Sequence, residues 1–211
     1  METLSIDLYA EPFPLMVVNN FYNEEELKLI WEELNFYTKP DKLLQVKEHG
    51  GDIANYTNAK ELLLDDLYGK KNYRNISNIL TMNRKLFECG VLDRFSEIHK
   101  CCSLATKGDS NITKVSYYHN GEYYDPHIDK GYQFLAFSYF YKEPKKFIGG
   151  DLIFPEDDFK LPCENNTTIV FPGWVEHGIR RVTIEDSNYF DGWGKYCISN
   201  FFGSQPKPHY Y

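Results

Sequence analysis

The segment YYDPHIDKG (residues 123–131) carries His127 and Asp129 with a single residue between them. Side chains two residues apart on a β-strand point to the same face of the sheet, so a strand here presents an imidazole and a carboxylate side by side. A lone His-x-Asp pair is weak evidence for a metal site, because such tripeptides occur by chance in many proteins. The pair needs a further ligand from elsewhere in the chain.

His177 is the candidate for that further ligand, and it lies fifty residues later in VFPGWVEHGIRRV (residues 170–182). It follows a strand-like run and a Pro-Gly turn. Two histidines and one carboxylate on a β scaffold form the facial arrangement of non-haem iron(II) oxygenases, which leaves metal positions open for a co-substrate and oxygen. For His177 taken alone, a loop cap or a hydrogen bond to a backbone carbonyl is an equally good interpretation.

Short β-rich runs fill the chain around and after this pair. Gly, Pro, Asn and Asp separate them, and these residues favour turns. The runs are ITKVSYY, QFLAFSYFY, DLIF, TTIVF, GIRRVTI and KYCISNFF. Many short strands in succession predict a double-sheet sandwich or jelly roll.

The first half of the chain is predicted to be mainly helical after an opening strand over residues 14–21. Asn23 caps a helix whose first turn carries three glutamates, where the helix dipole favours negative charge. Further helices are expected over Ala59–Tyr68 and Ile76–His99, the second with a break or bend at Gly90.

These elements predict a single α+β, mainly β domain over residues 1–211. A jelly-roll core over residues 111–203 is expected to carry the helices of residues 1–110 on one face. Residues 39–57 are expected to form a loop, and the tail GSQPKPHYY (residues 203–211) a loop or a disordered end.

Composition and charge narrow the classes of function. The chain has a net charge of −8 and a pI near 5.3, and an acidic surface repels the phosphate backbone of nucleic acids. The sequence contains no run of about eighteen apolar residues, so it predicts no membrane span. The N-terminus lacks the pattern of a signal peptide. Five cysteines without a CxxC pair disfavour a disulfide framework or a thiolate zinc site. A cytoplasmic location is therefore expected.

A lysine opens the last β-rich run, GWGKYCISNFF (residues 192–202). Lys195 shares its strand face with Cys197 and Ser199, so its ammonium group could point into the core beside small residues. A buried cation needs an anionic partner, and the distal carboxylate of 2-oxoglutarate would be one. A solvated lysine beside a glycine turn is the alternative.

Taken together, these segments resemble the prolyl 4-hydroxylase-like family of 2-oxoglutarate- and iron(II)-dependent dioxygenases, whose core is a double-stranded β-helix, a form of jelly roll. The segment PFPLMVVNNFYNEEELKLI (residues 12–30) also resembles the usual opening of the family. The family pattern is matched in order by Tyr118, Gly121, Tyr124, His127, Asp129, GGDLIF (residues 149–154), TIVFPG (residues 168–173), His177, Gly194 and Lys195.

The resemblance implies an enzyme that hydroxylates an unactivated C–H bond and releases succinate and CO2. Iron(II) would be held by His127, Asp129 and His177, and O2 and ascorbate would serve as co-substrate and reductant. The co-substrate 2-oxoglutarate would contact Lys195, Tyr118 and Tyr124. IEDSNYFDGW (residues 184–193) looks like an insertion, which leaves Arg181 as a reserve anchor because it shares strand parity with His177.

The substrate expected from the resemblance is a peptidyl proline in a peptide or protein. Tyr132, Trp174 and Trp193 fall near the expected mouth of the site, and aromatic grooves suit the polyproline II helix of proline-rich peptides. The same rings could simply pack the ends of the barrel. Arg180 and Arg181 would instead serve a charged small molecule, and a nucleic acid is disfavoured by the acidic charge.

Two rivals from other classes remain open: a non-enzymatic β-barrel that binds a metal or ligand, and a structural zinc protein. A structural zinc site fills its coordination with protein ligands, and the sequence offers no obvious fourth ligand. The other histidines are assigned no role. His119 is expected to be solvent-exposed, and His49, His99 and His209 to be structural or on the surface.

Overall fold

The computed structural model describes residues 3–40, 42–45, 56–69, 73–185 and 188–204. Most of the predicted loop at residues 39–57 and nearly all of the predicted tail lie outside the described residues, as do His49 and His209. No described helix combines the length and the apolar character that a membrane span requires.

Strands dominate the described chain, and the α-helices are confined to its first half. The helices are α1 (Glu24–Tyr37), α2 (Leu64–Tyr68), α3 (Asn78–Met82), α4 (Arg84–Glu88) and α5 (Val91–Ser96). Short 3-10 helices cover Arg74–Ile76, Lys100–Lys107, Pro155–Asp157 and Tyr189–Asp191. The strands are β1 (Ser5–Tyr9), β2 (Leu15–Asn19), β3 (Leu44–Gln45), β4 (Lys60–Leu63), β5 (Ser110–Tyr118), β6 (Tyr124–His127), β7 (Phe134–Phe140), β8 (Phe147–Gly149), β9 (Leu152–Phe154), β10 (Phe159–Leu161), β11 (Thr167–Pro172), β12 (His177–Ile179), β13 (Val182–Ile184) and β14 (Lys195–Gly203).

Within the described residues the strands form a large and a small antiparallel sheet with a separate two-stranded ribbon. The large sheet has the order β1-β2-β11-β7-β14-β5-β4-β3, the small sheet has the order β10-β9-β12-β6, and the ribbon pairs β13 with β8. The predicted mainly β, jelly-roll type of fold is confirmed. Over the described residues the two sheets do not close into a barrel.

The central strands of the large sheet are buried on both faces, which explains their nearly continuous apolar sequence. Every residue of β7 is buried. Phe134, Ala136 and Phe140 pack in the core on the helical side, whereas Leu135 and Phe137 pack in the core between the two sheets. The metal-ligand candidates therefore lie in the second of two hydrophobic layers, away from the helices.

Helix α1 begins where the sequence predicts. The side chain of Asn23 accepts a hydrogen bond from Glu26 N at 2.9 Å, and the Glu26 carboxylate accepts one from Asn23 N at 2.8 Å, which together form a capping box. Ile30 and Leu34 are fully buried on its inner face. This helix covers the outer face of the large sheet, as expected for a helix packed on a jelly roll.

The region between the first helix and β5 differs from the expected pair of helices. Residues 60–63 form β4, which pairs with β5 and β3, so only the end of the predicted 59–68 helix is helical. The predicted 76–99 helix is divided into short pieces, and Gly90 adopts a positive φ of 71° where α5 begins. Because β1 to β4 also belong to the large sheet, residues 1–110 supply strands as well as helical support.

Candidate metal centre

Two adjacent strands of the small sheet position the candidate metal ligands. Strand β6 ends at His127 and β12 begins at His177, and the two histidines are directly paired across the ladder. Asp129 lies two residues beyond β6, where its backbone N–H donates to the carbonyl oxygen of Gly173 at 3.1 Å. The turn after β11 thereby holds the segment carrying Asp129 close to the one that leads to His177.

The three side chains converge on one point. Their candidate ligand atoms all lie within 4.8 Å of one another. His177 Nε2 is 3.4 Å from Asp129 Oδ2, and His127 Nε2 is 3.8 Å from Asp129 Oδ1. Two imidazoles and a carboxylate at this separation are the donor set of a mononuclear metal site.

The hydrogen bonds of the two imidazoles determine which nitrogen faces the centre. His127 Nδ1 lies 2.9 Å from the carbonyl oxygen of Asp125, and His177 Nδ1 lies 2.9 Å from that of Val175. Because a carbonyl oxygen only accepts hydrogen bonds, each Nδ1 must carry the proton. In the neutral imidazole the lone pair then resides on Nε2, the nitrogen that points towards Asp129.

The local electrostatics also suit a cation. Asp129 Oδ2 and His177 Nε2 are buried and have no hydrogen-bond partner among the described residues, and such atoms are costly to leave unpaired. Burial tends to raise the pKa of Asp129, but the neighbouring histidines outweigh it and hold that pKa below its ordinary value. Burial and His177 lower the pKa of His127. A charged carboxylate and a neutral imidazole are the forms that bind a metal ion.

The three residues line one wall of a small cavity between the two sheets. The opposite wall is the inner face of β5 and β14, including Tyr118 and Ser199. Tyr124 lines the cavity beside the ligands and stacks on the ring of His127, with centroids 4.2 Å apart. Both tyrosines named from the sequence therefore belong to the cavity wall.

Lys195 is fully buried, with its side chain between the two sheets. Its Nζ donates to the carbonyl oxygen of Gly150 at 2.6 Å and lies 3.9 Å from the ring centroid of Tyr139. Burial lowers the pKa of Lys195. The hydroxyl of Tyr139 is buried without a hydrogen-bond partner among the described residues. An ammonium with donors to spare beside an unpaired phenol is suited to an anion.

Arg181 does not point inward, contrary to the parity argument. Strand β12 ends at Ile179, and the chain turns before β13, so the alternation that begins at His177 is lost. The guanidinium of Arg181 donates to the carbonyl oxygen of Gly121 and lies over the ring of Tyr123 at the surface. Arg181 therefore has no place in the cavity.

The predicted substrate-binding residues are spread around the outside of the site. Trp174 is 60% exposed in the turn between β11 and β12, and Arg180 is also exposed. Tyr132 is half-buried, with its ring 5.1 Å from that of Phe201, a residue of the cavity wall. Trp193 is half-buried beneath Lys146, whose Nζ lies 3.5 Å from the ring.

His119 was expected at the surface but is only 5% exposed. Its ring lies 5.0 Å from that of Tyr189, in the segment that looks like an insertion, so that segment covers it. The sequence interpretation also missed Tyr139, Lys114 and Glu61. The period of two in QFLAFSYFY and ITKVSYY places Tyr139 and Lys114 on inward faces and would have identified both.

The fold is shared with known oxygenases, although no protein-family model and no curated protein matches the chain. The chain is similar to a prolyl-4-hydroxylase from Pseudomonas putida, with 14% identity and a TM-score of 0.59 over 91% of this chain and 93% of that one. It is similar to a viral collagen prolyl hydroxylase from Paramecium Bursaria Chlorella virus-1, solved as a 2OG complex, with 15% identity and a TM-score of 0.52 over 90% and 96%. It is also similar to a 2OG-Fe(II) oxygenase family oxidoreductase from Burkholderia pseudomallei, with 14% identity and a TM-score of 0.56 over 90% and 84%. The fold implied by the resemblance in sequence is thus confirmed.

Proposed function

We propose that this protein is a 2-oxoglutarate- and iron(II)-dependent dioxygenase that hydroxylates an unactivated C–H bond. The observation that carries the proposal is the convergence of His127, Asp129 and His177, with ligand atoms within 4.8 Å of one another. Both imidazoles are oriented by backbone carbonyl groups so that Nε2 is free to bind a metal. The oxygenase fold described above supports the same conclusion.

Iron(II) would be held by Nε2 of His127, a carboxylate oxygen of Asp129 and Nε2 of His177. Within the described residues the cluster contains these three side chains and no fourth, so it leaves metal positions for small ligands. Iron and 2-oxoglutarate, when bound, would supply the oxidising power that inserts an oxygen atom from O2 into a C–H bond and releases succinate and CO2. The protein's own side chains would bind the metal, orient the two substrates and exclude water from the site.

The distal carboxylate of 2-oxoglutarate is assigned to Lys195 and Tyr139. The Lys195 ammonium is held by one carbonyl oxygen, that of Gly150, and retains further N–H donors. The Tyr139 hydroxyl lacks a partner among the described residues, and its ring lies beside that ammonium. Charge-assisted hydrogen bonds in a dry environment are short and strong. Lys195 thus stays the proposed anchor, and the reserve candidate Arg181 is dropped because it lies at the surface.

The proposed substrate is a peptidyl proline in an extended segment of a peptide or protein. Exposed apolar side chains surround the metal ligands: Tyr56, Ile128 and Trp174 are each more than a third exposed. Aromatic surfaces of this kind suit the preformed polyproline II helix. Two of the structures with the same fold are named as prolyl hydroxylases. The net charge of −8 disfavours a nucleic acid.

Two measurements test the proposal in sequence. Anaerobic addition of iron(II) and then 2-oxoglutarate should produce a weak visible charge-transfer band, which His177→Ala should abolish. With ascorbate and air, proline-rich peptides should then stimulate succinate release and yield hydroxyproline, whereas free proline should not. The absence of the band would contradict the metal and co-substrate assignment. Stimulation only by a free metabolite or a methylated oligonucleotide would contradict the peptide substrate alone.

A further inference from the structure

Lys114 lies on the cavity wall opposite the metal ligands and forms a largely buried ion pair with Glu61, behind that wall. Lys114 Nζ lies 2.7 Å from Glu61 Oε1, and the side chains are only 14% and 6% exposed. Ser116 Oγ donates to the same carboxylate oxygen at 3.2 Å. Burial alone would lower the pKa of Lys114, but the Glu61 carboxylate outweighs it and holds that pKa above its ordinary value. Lys114 therefore keeps its charge inside the cavity.

Stability does not account for this ion pair. The cost of desolvating two charges offsets most of their attraction, so a buried pair is weak evidence of a stabilising role. Lys114 and Ser116 line the cavity that contains His127 and His177. An ammonium group has three N–H donors, and Glu61 is the single hydrogen-bond acceptor that Lys114 Nζ reaches in the described part of the chain. Its other donors are available to a ligand.

Lys114 lines the cavity at the end farther from Lys195, which does not itself line the cavity but is paired with the lining residue Tyr118. On the ladder between β5 and β14, Lys195 is paired with Tyr118, and Lys114 is paired with Ser199. The two lysines are thus four residues apart along the strands, which corresponds to about 13 Å. A co-substrate anchored at Lys195 leaves the end at Lys114 for the molecule that is oxidised.

The charges around Lys114 determine which kind of ligand its ammonium group can bind. Glu61 already neutralises the ammonium, and the Lys114 charge also acts on the carboxylate of Asp129. A further carboxylate would share one cation with two anions and would be repelled. A neutral oxygen acceptor gains a charge-assisted hydrogen bond without that repulsion.

We propose that Lys114 is a specificity-determining residue that donates a hydrogen bond to a backbone carbonyl oxygen of a peptide substrate. Glu61 is the positioning residue that holds the Lys114 side chain in place through its ion pair. The proposal rests on the proposed function, and it adds recognition of the peptide main chain beside the metal. The ring centroids of Tyr124 and Phe201 lie 5.2 and 5.5 Å from Lys114 Nζ, and the two rings keep the ammonium group directed into the cavity.

The test measures binding of a blocked proline-rich decapeptide to the enzyme loaded with iron(II) and 2-oxoglutarate under nitrogen. Lys114→Met should weaken peptide binding about tenfold or more, the loss expected for a charge-assisted hydrogen bond. The apparent KM for 2-oxoglutarate should not change. If Lys114→Met alone fails to fold, the double variant Glu61→Gln with Lys114→Met removes both charges of the ion pair. It should likewise show weaker peptide binding and an unchanged KM for 2-oxoglutarate. Lys160→Met, at an exposed lysine of β10, is the matched control and should bind normally.

A second readout identifies the acceptor. Thioamide replacement of single peptide bonds weakens one carbonyl acceptor at a time. It should reduce binding to the wild type at one position, and at none in Lys114→Met.

Three results would overturn the inference. Unchanged peptide affinity in both cavity variants would remove Lys114 from substrate recognition and leave the proposed function standing. A raised KM for 2-oxoglutarate with normal peptide affinity would make Lys114 a co-substrate ligand. If the wild type binds no peptide and turns over only with a carboxylate metabolite, the peptide substrate fails together with this contact, while the metal assignment stands.

Discussion

Tyr124 stacks on the imidazole of His127, with 4.2 Å between the ring centroids and 14° between the ring planes. The same imidazole is hydrogen-bonded through Nδ1 to the carbonyl oxygen of Asp125. Together these two contacts fix both the plane and the rotation of the ring, so that Nε2 faces Asp129. Groups that orient a metal ligand in this way influence metal affinity although they do not touch the ion.

Tyr124→Leu should therefore weaken iron(II) binding by about threefold to tenfold, the loss expected for one aromatic contact. Tyr124→Phe keeps the stack and should bind iron normally. Competition with a chelator measures both affinities. If the phenylalanine variant is as weak as the leucine variant, the hydroxyl matters and the stack does not.

Loss of any one of the three ligands should abolish turnover while the fold survives. His177→Ala removes the Nδ1 hydrogen bond to Val175 O and ring contacts with Phe137 and Phe171, so we expect a lower free energy of unfolding but the same fold. Circular dichroism and the bound-iron content measure the two effects separately. His99→Ala, at a histidine outside the cavity, is the control. Near-normal activity of His177→Ala would show that the ligand assignment is wrong.

Lys195→Met should raise the apparent KM for 2-oxoglutarate by about tenfold to a hundredfold, because a desolvated charge-assisted hydrogen bond contributes about 1.5–3 kcal/mol. The same variant should raise the melting temperature of the protein without 2-oxoglutarate. It replaces a buried charge that has one hydrogen bond with an apolar side chain of similar length. Steady-state kinetics and thermal unfolding measure the two effects.

Two control variants accompany Lys195→Met. Tyr139→Phe should raise the KM for 2-oxoglutarate by a smaller factor, since it removes an uncharged donor. Arg181→Ala should leave that KM unchanged, because its guanidinium lies on the surface over Tyr123. If Arg181→Ala raises the KM for 2-oxoglutarate and Lys195→Met does not, Arg181 is the residue that binds the distal carboxylate.

Local periodicity was sufficient to predict the orientation of some of the candidate side chains. The period of two places Lys195 on the same strand face as Cys197 and Ser199. Asp129 instead lies beyond the end of β6, and a hydrogen bond from its backbone N–H to Gly173 O holds it near His127. The N-cap at Asn23 was also predictable from local sequence, because the capping box joins residues only three positions apart. Contacts between the two sheets then follow from the order of the strands.

The errors arise where distant parts of the chain decide the outcome. Residues 60–63 have a helical composition, yet they form a strand because β5 offers a pairing partner about fifty residues later. Pairing with a distant strand overrides local propensity. His119 is buried because Tyr189, seventy residues away, packs on its ring. Sequence alone does not specify either contact.

The 188–191 segment, which covers His119, is attached through the carboxylate of Glu122, whose pKa is shifted on folding. Glu122 accepts hydrogen bonds from the Tyr189 hydroxyl at 3.0 and 3.2 Å and from His119 N at 2.6 Å. Burial raises the pKa of Glu122 to about 7, although these donors and Lys60 act in the opposite direction. At a pH between the ordinary pKa of glutamate and about 7, Glu122 therefore keeps a proton in the folded protein that it has lost in the unfolded chain.

This difference makes stability fall with rising pH. A carboxyl whose pKa is raised on folding contributes its full stability below the unfolded pKa, near 4.5, and loses it as the pH passes through about 7. Between pH 5 and pH 8 we expect the wild type to lose on the order of 1–3 kcal/mol relative to Glu122→Gln, which has no proton to release. Glutamine preserves an oxygen acceptor for Tyr189 and His119, so the contacts themselves survive the substitution.

Urea unfolding of both proteins across that pH range measures the difference. The free energies of unfolding should converge near pH 5 and diverge towards pH 8, with Glu122→Gln the more stable protein there. Glu156→Gln, at an exposed glutamate, controls for the loss of one negative charge and should parallel the wild type. Parallel curves for Glu122→Gln and the wild type would mean that Glu122 is ionised to the same degree in the folded and unfolded states. The 188–191 segment would then be held by hydrogen bonds to a charged carboxylate, and its attachment would not depend on pH in this range.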